Sequence, residues 1–180
     1  MPNFISWKFV GFRDTQGRFA AGSKATKRAA QDIARACGRL IVREMQRLAP
    51  VGTHYRIDSH GNVFESRPET LKKSIKFRTF SRANGTVLRV YAAEHVKYVI
   101  YPTRPHRITA KRGKFLRFYW PDAPPEIVAS FGGNVVYFKS VWHPGTKGNP
   151  FHERAVENLQ PDIQREMNRG AAYVQQAMEL

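Results

Sequence analysis

The chain has 180 residues, of which 42% are hydrophobic and 12% aromatic, and its formal net charge at pH 7 is +16. This length can bury one substantial core, so the sequence predicts a single domain over residues 1–180. Cys37 is the only cysteine, which excludes an internal disulfide, and no apolar run reaches the length that spans a bilayer. We therefore expect a soluble protein that carries no secretory signal peptide.

The positive charge is distributed unevenly along the chain. Residues 1–50 hold 10 Lys and Arg against 3 Asp and Glu, and residues 51–125 hold 15 against 5. Residues 126–180 hold 5 against 6, so the C-terminal third is nearly neutral. A cation excess of this size attracts polyanions. The distribution favours contact with nucleic acid at one face and with protein at the C-terminal helix, and a generally basic solvated surface is the simpler alternative.

The first 50 residues contain two segments with different patterns. Residues 1–22 are dense in aromatics around a turn, which predicts an arm or hairpin that packs on the domain's own sheet or on a neighbouring subunit. Residues 23–49 have apolar side chains every three or four positions and arginines between them, which predicts a long amphipathic helix ending before Pro50. Cys37 lies on the apolar stripe, where a small buried side chain is expected rather than a reactive thiol.

The middle of the chain is predicted to be mainly β. Residues 51–69 lack a clear period and are rich in turn formers, so we expect a long loop. His54, Asp58 and His60 lie in that loop without a second ligand pair, so no metal site is expected. Residues 70–142 form the β-sheet region, with a hairpin at Asn84-Gly85 and an ambiguous segment at residues 126–131. The predicted strands are residues 75–81, 86–91, 96–101, 115–120 and 135–142.

A basic segment lies between the third and fourth predicted strands. Its prolines and glycine keep residues 102–114 out of regular structure. Flexible cations beside aromatics are typical of a sequence-independent grip on phosphates, and such loops also occur on surfaces without that role. The residues expected to face DNA or another polyanion are Arg104, Arg107, Lys111, Arg112, Lys114 and Arg117.

A strand, a corner and the start of a helix follow one another between residues 135 and 156. Proline and glycine end the strand, so residues 143–150 are expected to form a shaped loop. Asn149 and Pro150 fit an N-cap and a first helical position, and a helix is predicted over residues 151–178 with a kink or restart at Pro161. The structural or interface residues expected here are His143, Pro144, Gly145, Thr146, Pro150 and Phe151.

Sequence signals for catalysis are few. His143, His152 and Glu153 form one candidate cluster, and there is no serine elbow, phosphate-cradling glycine loop or paired Cys/His ligand set. We therefore predict no enzyme activity, no cofactor and no catalytic residue. The alternative is a small basic nuclease or RNA-cleaving toxin that uses Arg104, Arg107 and His143 or His152 for phosphate binding and acid–base work. A simple DNA-binding protein is a third possibility.

Three separated parts of the sequence resemble one protein family. Each part is a pair of short segments: APVGT at 49–53 with LKKSI at 71–75, YVIYPTRPHRI at 98–108 with LRF at 116–118, and HPGTK at 143–147 with PF at 150–151. In this order they resemble motifs of the tail-completion or neck proteins that join head and tail in tailed bacteriophages. HPGT is the most specific match. In the segment at 98–108 the chain departs from the family pattern at Ile100 and Pro102, where the family has an acidic residue and a glycine.

The resemblance implies a non-enzymatic structural protein of the virion. It implies a homo-oligomeric ring at the head–tail junction that surrounds the DNA path, contacts double-stranded DNA non-specifically and has no membrane contact. The partners it implies are connector or head-completion proteins and tail-terminator or tail-tube proteins. The implied location is the virion, and the host cytoplasm during assembly.

The pattern of elements predicts the α+β class. We expect a twisted antiparallel sheet of about five strands that packs against two long helices, one N-terminal and one C-terminal. An extended aromatic arm or hairpin precedes the first helix in this prediction.

Overall fold

A computed structural model describes residues 4–9, 24–67, 69–82, 85–111 and 113–178. Its helices are α1 (Lys24–Leu48), α2 (Thr70–Ser74), α3 (Lys97–Ile100), α4 (Pro125–Phe131) and α5 (Phe151–Met178), and a 3-10 turn (Glu94–Val96) precedes α3. Its strands are β1 (Phe4–Phe9), β2 (His54–Ile57), β3 (Val63–Ser66), β4 (Lys76–Arg82), β5 (Gly85–Ala93), β6 (His106–Thr109), β7 (Leu116–Tyr119), β8 (Val135–Phe138) and β9 (Ser140–His143). The predicted α+β class is confirmed.

The chain forms two compact units. Unit 1 comprises residues 1–50, 70–100 and 150–180, and unit 2 comprises residues 51–69 and 101–149. Each unit is therefore assembled from segments that are separated in sequence. The interpretation as a single domain stays a prediction, since two compact units can belong to one cooperative domain.

Helix α1 follows the amphipathic pattern of its sequence. Ala34, Cys37, Ile41 and Met45 are buried at spacings of three and four residues, which places them on one stripe that faces the core of unit 1. The helix ends where the Ala49 N–H donates to the Met45 carbonyl oxygen at 2.8 Å, directly before proline.

The sheet of unit 1 has three antiparallel strands in the order β1-β5-β4. Alternate residues of β5 are buried, and Leu88, Val90 and Ala92 belong to the same core as the stripe of α1. Gly38 allows α1 to lie close to this sheet, because a Cβ there would be 2.5 Å from Cδ2 of Phe77. Strand β1 pairs with the chain's own β5, and residues 1–3 and 10–22 of the predicted arm lie outside the described residues.

Helix α5 completes the core of unit 1. Phe151, Ala155 and Leu159 are buried at a spacing of four residues and join the cluster formed with α1. The helix continues through Pro161 to Met178, so of the two predicted alternatives the restart is wrong and the kink stays a prediction. Pro161 itself is exposed, and the buried residues before and after it hold both halves of the helix to the unit.

Unit 2 is built from three two-stranded antiparallel ribbons, β2–β3, β6–β9 and β7–β8, and the short helix α4. The prediction of one sheet of about five strands is therefore wrong, because the strands divide among four small sheets. The predicted strand 135–142 is interrupted at Lys139 and forms two strands. The first, β8, pairs with β7, and the second, β9, pairs with β6.

Two further elements differ from the prediction. Residues 51–69 contain the hairpin β2–β3 instead of a loop, and its turn is closed by the Asp58 carboxylate, which accepts the N–H groups of His60 and Asn62 at 2.8 and 2.9 Å. Residues 96–101 were predicted as a strand, yet Val96 and Ile100 are buried four residues apart in a helical segment.

The ambiguous segment 126–131 belongs to α4, which ends at Gly132 with a φ of 68°. Among the described residues, no helix is both long and apolar enough to cross a membrane.

Candidate functional site

Two motif segments that are about forty residues apart in sequence run side by side in unit 2. Strands β6 and β9 pair so that His106 is opposite His143 and Arg107 is opposite Trp142. Beyond the ribbon, Thr103 forms an isolated bridge with Thr146. Residues 103–106 (TRPH) and 143–146 (HPGT) thus meet antiparallel, threonine to threonine and histidine to histidine. We call these eight residues the Thr-His corner.

Four hydrogen bonds close the threonine end of the corner. The Thr103 N–H donates to the Thr146 carbonyl oxygen at 3.0 Å, and the Thr146 N–H donates to the Thr103 carbonyl oxygen at 3.2 Å and to Thr103 Oγ1 at 2.9 Å. The two hydroxyl oxygens are 2.9 Å apart. Gly145 permits this closure, since its φ is 87° and a Cβ there would collide with the Thr103 carbonyl oxygen.

The two histidines are held in opposite tautomers. His106 Nδ1 lies 2.9 Å from the Arg104 carbonyl oxygen, which can only accept, so Nδ1 carries the proton. His143 Nδ1 accepts the Gly145 N–H at 3.0 Å, so in the neutral ring the proton is on Nε2. The ring centroids are 5.1 Å apart. In this arrangement His106 Nε2 is a hydrogen-bond acceptor and His143 Nε2 a hydrogen-bond donor.

Those predicted polyanion-facing residues that the structure describes lie in unit 2, but they are not one cluster. Arg104 and Arg107 are exposed and belong to the corner and to β6, where Arg107 pairs with Trp142, itself 69% exposed. Lys111 and Lys114 are exposed in the connection to β7, and Arg112 lies outside the described residues. The corner and the adjoining pair of strands thus hold two of the predicted cations, Arg104 and Arg107, together with the exposed ring of Trp142.

Arg117 has a different environment from the other predicted cations. It lies on β7, and its guanidinium is 5.7 Å from the ring centroid of Tyr137 on the paired strand β8. Its Nη1 donates to the Asp58 carbonyl oxygen at 3.2 Å. Part of the hydrogen-bonding capacity of Arg117 is therefore used to hold the β2–β3 hairpin.

The predicted interface residues divide between the two units. His143, Pro144, Gly145 and Thr146 belong to the Thr-His corner of unit 2, whereas Pro150 and Phe151 belong to unit 1. Phe151 is fully buried and anchors the start of α5, and the Pro150 carbonyl oxygen accepts the Glu153 N–H at 3.1 Å. Phe151 is thus a core residue and does not present a surface.

The remaining titratable candidates have structural surroundings. Hydrogen bonds from Asn62 and from backbone N–H groups hold the pKa of Asp58 below its usual value. The role of this carboxylate is therefore to close its own turn. His152 lies in the first turn of α5, and burial lowers its pKa. Across the described part of the chain, no group of three or more His, Cys, Asp or Glu is placed to hold a metal ion.

Sequence reasoning missed His106, Thr103 and Trp142 as members of the site. One signal was present, because TRPH and HPGT have threonine and histidine in mirrored order. Antiparallel pairing of two such segments places threonine opposite threonine and histidine opposite histidine. This pairing is hard to recognise from the sequence because the two segments are far apart in it.

No protein-family model matches the chain, and neither a curated protein nor a solved structure matches it.

Proposed function

We propose that this chain is a non-enzymatic structural protein of a bacteriophage neck, of the tail-completion or head–tail joining type. It assembles as a homo-oligomeric ring around the DNA path. The ring binds connector or head-completion proteins on one side and tail-terminator or tail-tube proteins on the other.

The observation that carries this proposal is the pairing at the Thr-His corner. Two segments that resemble separate motifs of the neck-protein family are joined there through Thr103 and Thr146, and Gly145 is required for the junction. Residues needed for one shared corner would be retained together in a family. This gives a physical reason for motifs that otherwise look unrelated.

The charge distribution supports the placement around DNA. The exposed cations at and near the corner, including Arg104 and Arg107, provide non-specific attraction for phosphates. In this proposal the long helices α1 and α5 serve contacts within the ring and with its neighbours. The net charge of +16 would be screened by the DNA that the ring encloses.

Assembly is tested on the purified full-length chain. Light scattering after size exclusion should give an integer multiple of 20.6 kDa, and negative-stain electron microscopy should show rings. Immunogold labelling of the virions should mark the head–tail junction. A stable monomer that is absent from virions would overturn the proposal.

The role of the corner cations is tested with the double variant Arg104→Gln/Arg107→Gln. Binding of a labelled DNA duplex should weaken, and the slope of log K against log salt should fall by about 1.8 if both residues contact phosphates. The matched control is Arg165→Gln/Arg169→Gln, which removes the same charge from helix α5. Equal losses in both variants would remove the corner from the DNA path.

A second candidate function is metal-independent cleavage of RNA. The observation that favours it is the histidine pair, whose hydrogen bonds leave an acceptor at His106 Nε2 and a donor at His143 Nε2, with Arg104 and Arg107 nearby in sequence to bind a phosphate. His152 does not belong to this pair, since it lies in unit 1.

Cleavage is tested by incubating the protein with labelled RNA and DNA, with divalent metal and with chelator. Activity in chelator that His106→Ala and His143→Ala each abolish would favour the enzyme. His54→Ala is the control for loss of an exposed histidine in the same unit. RNA and DNA that stay intact would exclude this candidate.

A further inference from the structure

The outer face of the sheet in unit 1 has an unusual arrangement of charge. Alternate residues of β5 are buried and Phe77 of β4 is partly buried against the core that includes α1, whereas the intervening residues of both strands lie on the opposite face. We define the cationic sheet face as Lys76, Arg78, Phe80, Arg82, Arg89 and Tyr91. Lys76, Arg78 and Arg82 are exposed, and Phe80 is 39% exposed.

Two arginines lie directly opposite one another at the centre of this face. Arg78 on β4 is in register with Arg89 on β5, and the backbone of Lys8 on β1 is in register with Arg89. Like charges in directly opposed positions of a sheet repel each other and destabilise the pairing. Within the described part of the chain, no carboxylate forms an ion pair with Lys76, Arg78 or Arg89.

Aromatic rings hold the two guanidinium groups in place. The Arg78 guanidinium carbon is 5.6 Å from the centroid of Tyr91, and that of Arg89 is 5.5 Å from the centroid of Phe80. A guanidinium that lies over a ring keeps its N–H edge available for oxygen acceptors. Arg89 Nε, in addition, is buried without a hydrogen-bond partner among the described residues.

We propose that the cationic sheet face binds the phosphate backbone of nucleic acid. The row of cations with oriented N–H groups supplies charge and donors for phosphate oxygens. The aromatic rings are engaged by the arginines, so the face reads the backbone rather than stacking on bases. The cationic sheet face belongs to unit 1, whereas the Thr-His corner belongs to unit 2, so the two are different sites. The binding proposed for the sheet face does not depend on the neck function.

A second copy of the chain is a poorer occupant of the face. Six of the twelve carboxylates of the described residues already pair with a lysine or arginine three residues or fewer away, so half of them have less charge to offer a neighbour. These carboxylates are Asp32, Glu44, Glu65, Glu94, Asp162 and Glu166. Nucleic acid, in contrast, presents an unpaired negative charge at every phosphate.

The test is fluorescence anisotropy of a labelled DNA duplex with the full chain, between about 50 and 200 mM salt. Arg78→Gln/Arg89→Gln should bind about tenfold more weakly than the charge-matched Arg165→Gln/Arg169→Gln, and its salt slope should be about 1.8 lower. Arg78→Lys/Arg89→Lys should retain most of the salt slope, since it keeps both charges. Circular dichroism confirms that each variant is folded.

Two results would overturn the proposal. One is equal DNA affinity of the sheet-face variant and its matched control. The other is unchanged DNA binding together with loss of self-association in sedimentation, which would assign the face to a protein contact. Ring formation by a variant that has lost DNA binding leaves the neck proposal intact, so the two proposals fail separately.

Discussion

Glu44 on α1 accepts a hydrogen bond from Asn158 on α5, with 2.9 Å between Asn158 Nδ2 and Glu44 Oε1. The same carboxylate accepts bonds from Nε and Nη2 of Arg47 at 2.8 and 2.6 Å. The Arg47 bonds foremost, and then the Asn158 bond, lower the pKa of Glu44 from 4.5 to about 2. The charged carboxylate thus links the two helices that enclose the core of unit 1.

The first prediction concerns acid stability. A carboxyl whose pKa is lowered on folding stabilises the protein above pH 4.5, and this contribution is lost as the pH falls towards about 2. Glu44→Gln should cost about 1 kcal/mol at neutral pH and flatten the decline of stability in that window. Urea unfolding across the window measures both effects. Asp32→Asn is the control, since Asp32 pairs with Arg35 on one helix only; an equal change there would contradict the prediction.

The second prediction separates backbone strain from collision at two glycines. Gly145 and Gly132 both have positive φ, but a Cβ meets the Thr103 carbonyl oxygen at Gly145 and open space at Gly132. Gly132→Ala should cost about 1 kcal/mol, and Gly145→Ala should cost more than about 2 kcal/mol. Urea unfolding gives both values, and hydrogen exchange at the Thr146 amide should accelerate only in Gly145→Ala. Equal costs would show that the corner relaxes around the added methyl group.

The third prediction concerns the close approach of α5 to α1. A Cβ on Gly170 would overlap Cδ1 and Cγ1 of Ile33. Gly170→Ala should therefore destabilise the protein by about 1 kcal/mol although alanine favours helix, and Ile33→Val should recover part of that loss. A double-mutant cycle measured by urea unfolding tests the pair. Strict additivity of the two single changes would contradict this contact.

The fourth prediction concerns the reactivity of Cys37. Burial, followed by the nearby charge of Glu166, raises the pKa of this thiol from 9.0 to about 11. At about pH 8 the thiolate fraction is then about a hundredfold smaller than for a free thiol. Alkylation by iodoacetamide should therefore occur only in denaturant, as mass spectrometry can show. Rapid labelling of the folded chain would refute the buried position.

The fifth prediction concerns His152. Burial lowers its pKa from 6.5, and the Glu153 carboxylate, 3.7 Å from Nε2, opposes the shift. The unfolded chain therefore binds the proton more readily, so stability falls as the pH drops through 6.5 towards the lower folded value. His152→Gln should reduce this slope in urea unfolding, whereas His95→Gln, at an exposed position, should leave it unchanged. A slope that persists in His152→Gln would assign it to other groups.

The long helices were predictable because their cores are encoded locally. Ala34, Cys37 and Ile41 are buried at helical spacing in α1. Phe151 and Ala155 are buried at the same kind of spacing in α5. Such repeats specify a buried stripe without any knowledge of distant residues.

Strand partners were not predictable in this way. Nothing local indicates that residues on either side of Lys139 pair with different strands, since the apolar run is continuous. The Thr-His corner depends on a pairing between Thr103 and Thr146, which local pattern cannot encode. The prediction of a strand at residues 96–101 was wrong for a related reason, because a β-branched run of this length fits either a strand or a buried helical turn.

The order of segments in the two units has a consequence for synthesis. Every strand of unit 2 has been made once residue 149 is translated, so this unit can form before the chain is complete. Unit 1 must wait, because Phe151, Ala155 and Leu159 supply part of its core and are made after the segments of unit 2. On the ribosome, the apolar stripe of α1 therefore remains uncovered on one side until α5 emerges. A premature stop near the start of α5 would leave this stripe exposed to aggregation, although the residues of the Thr-His corner would all be present.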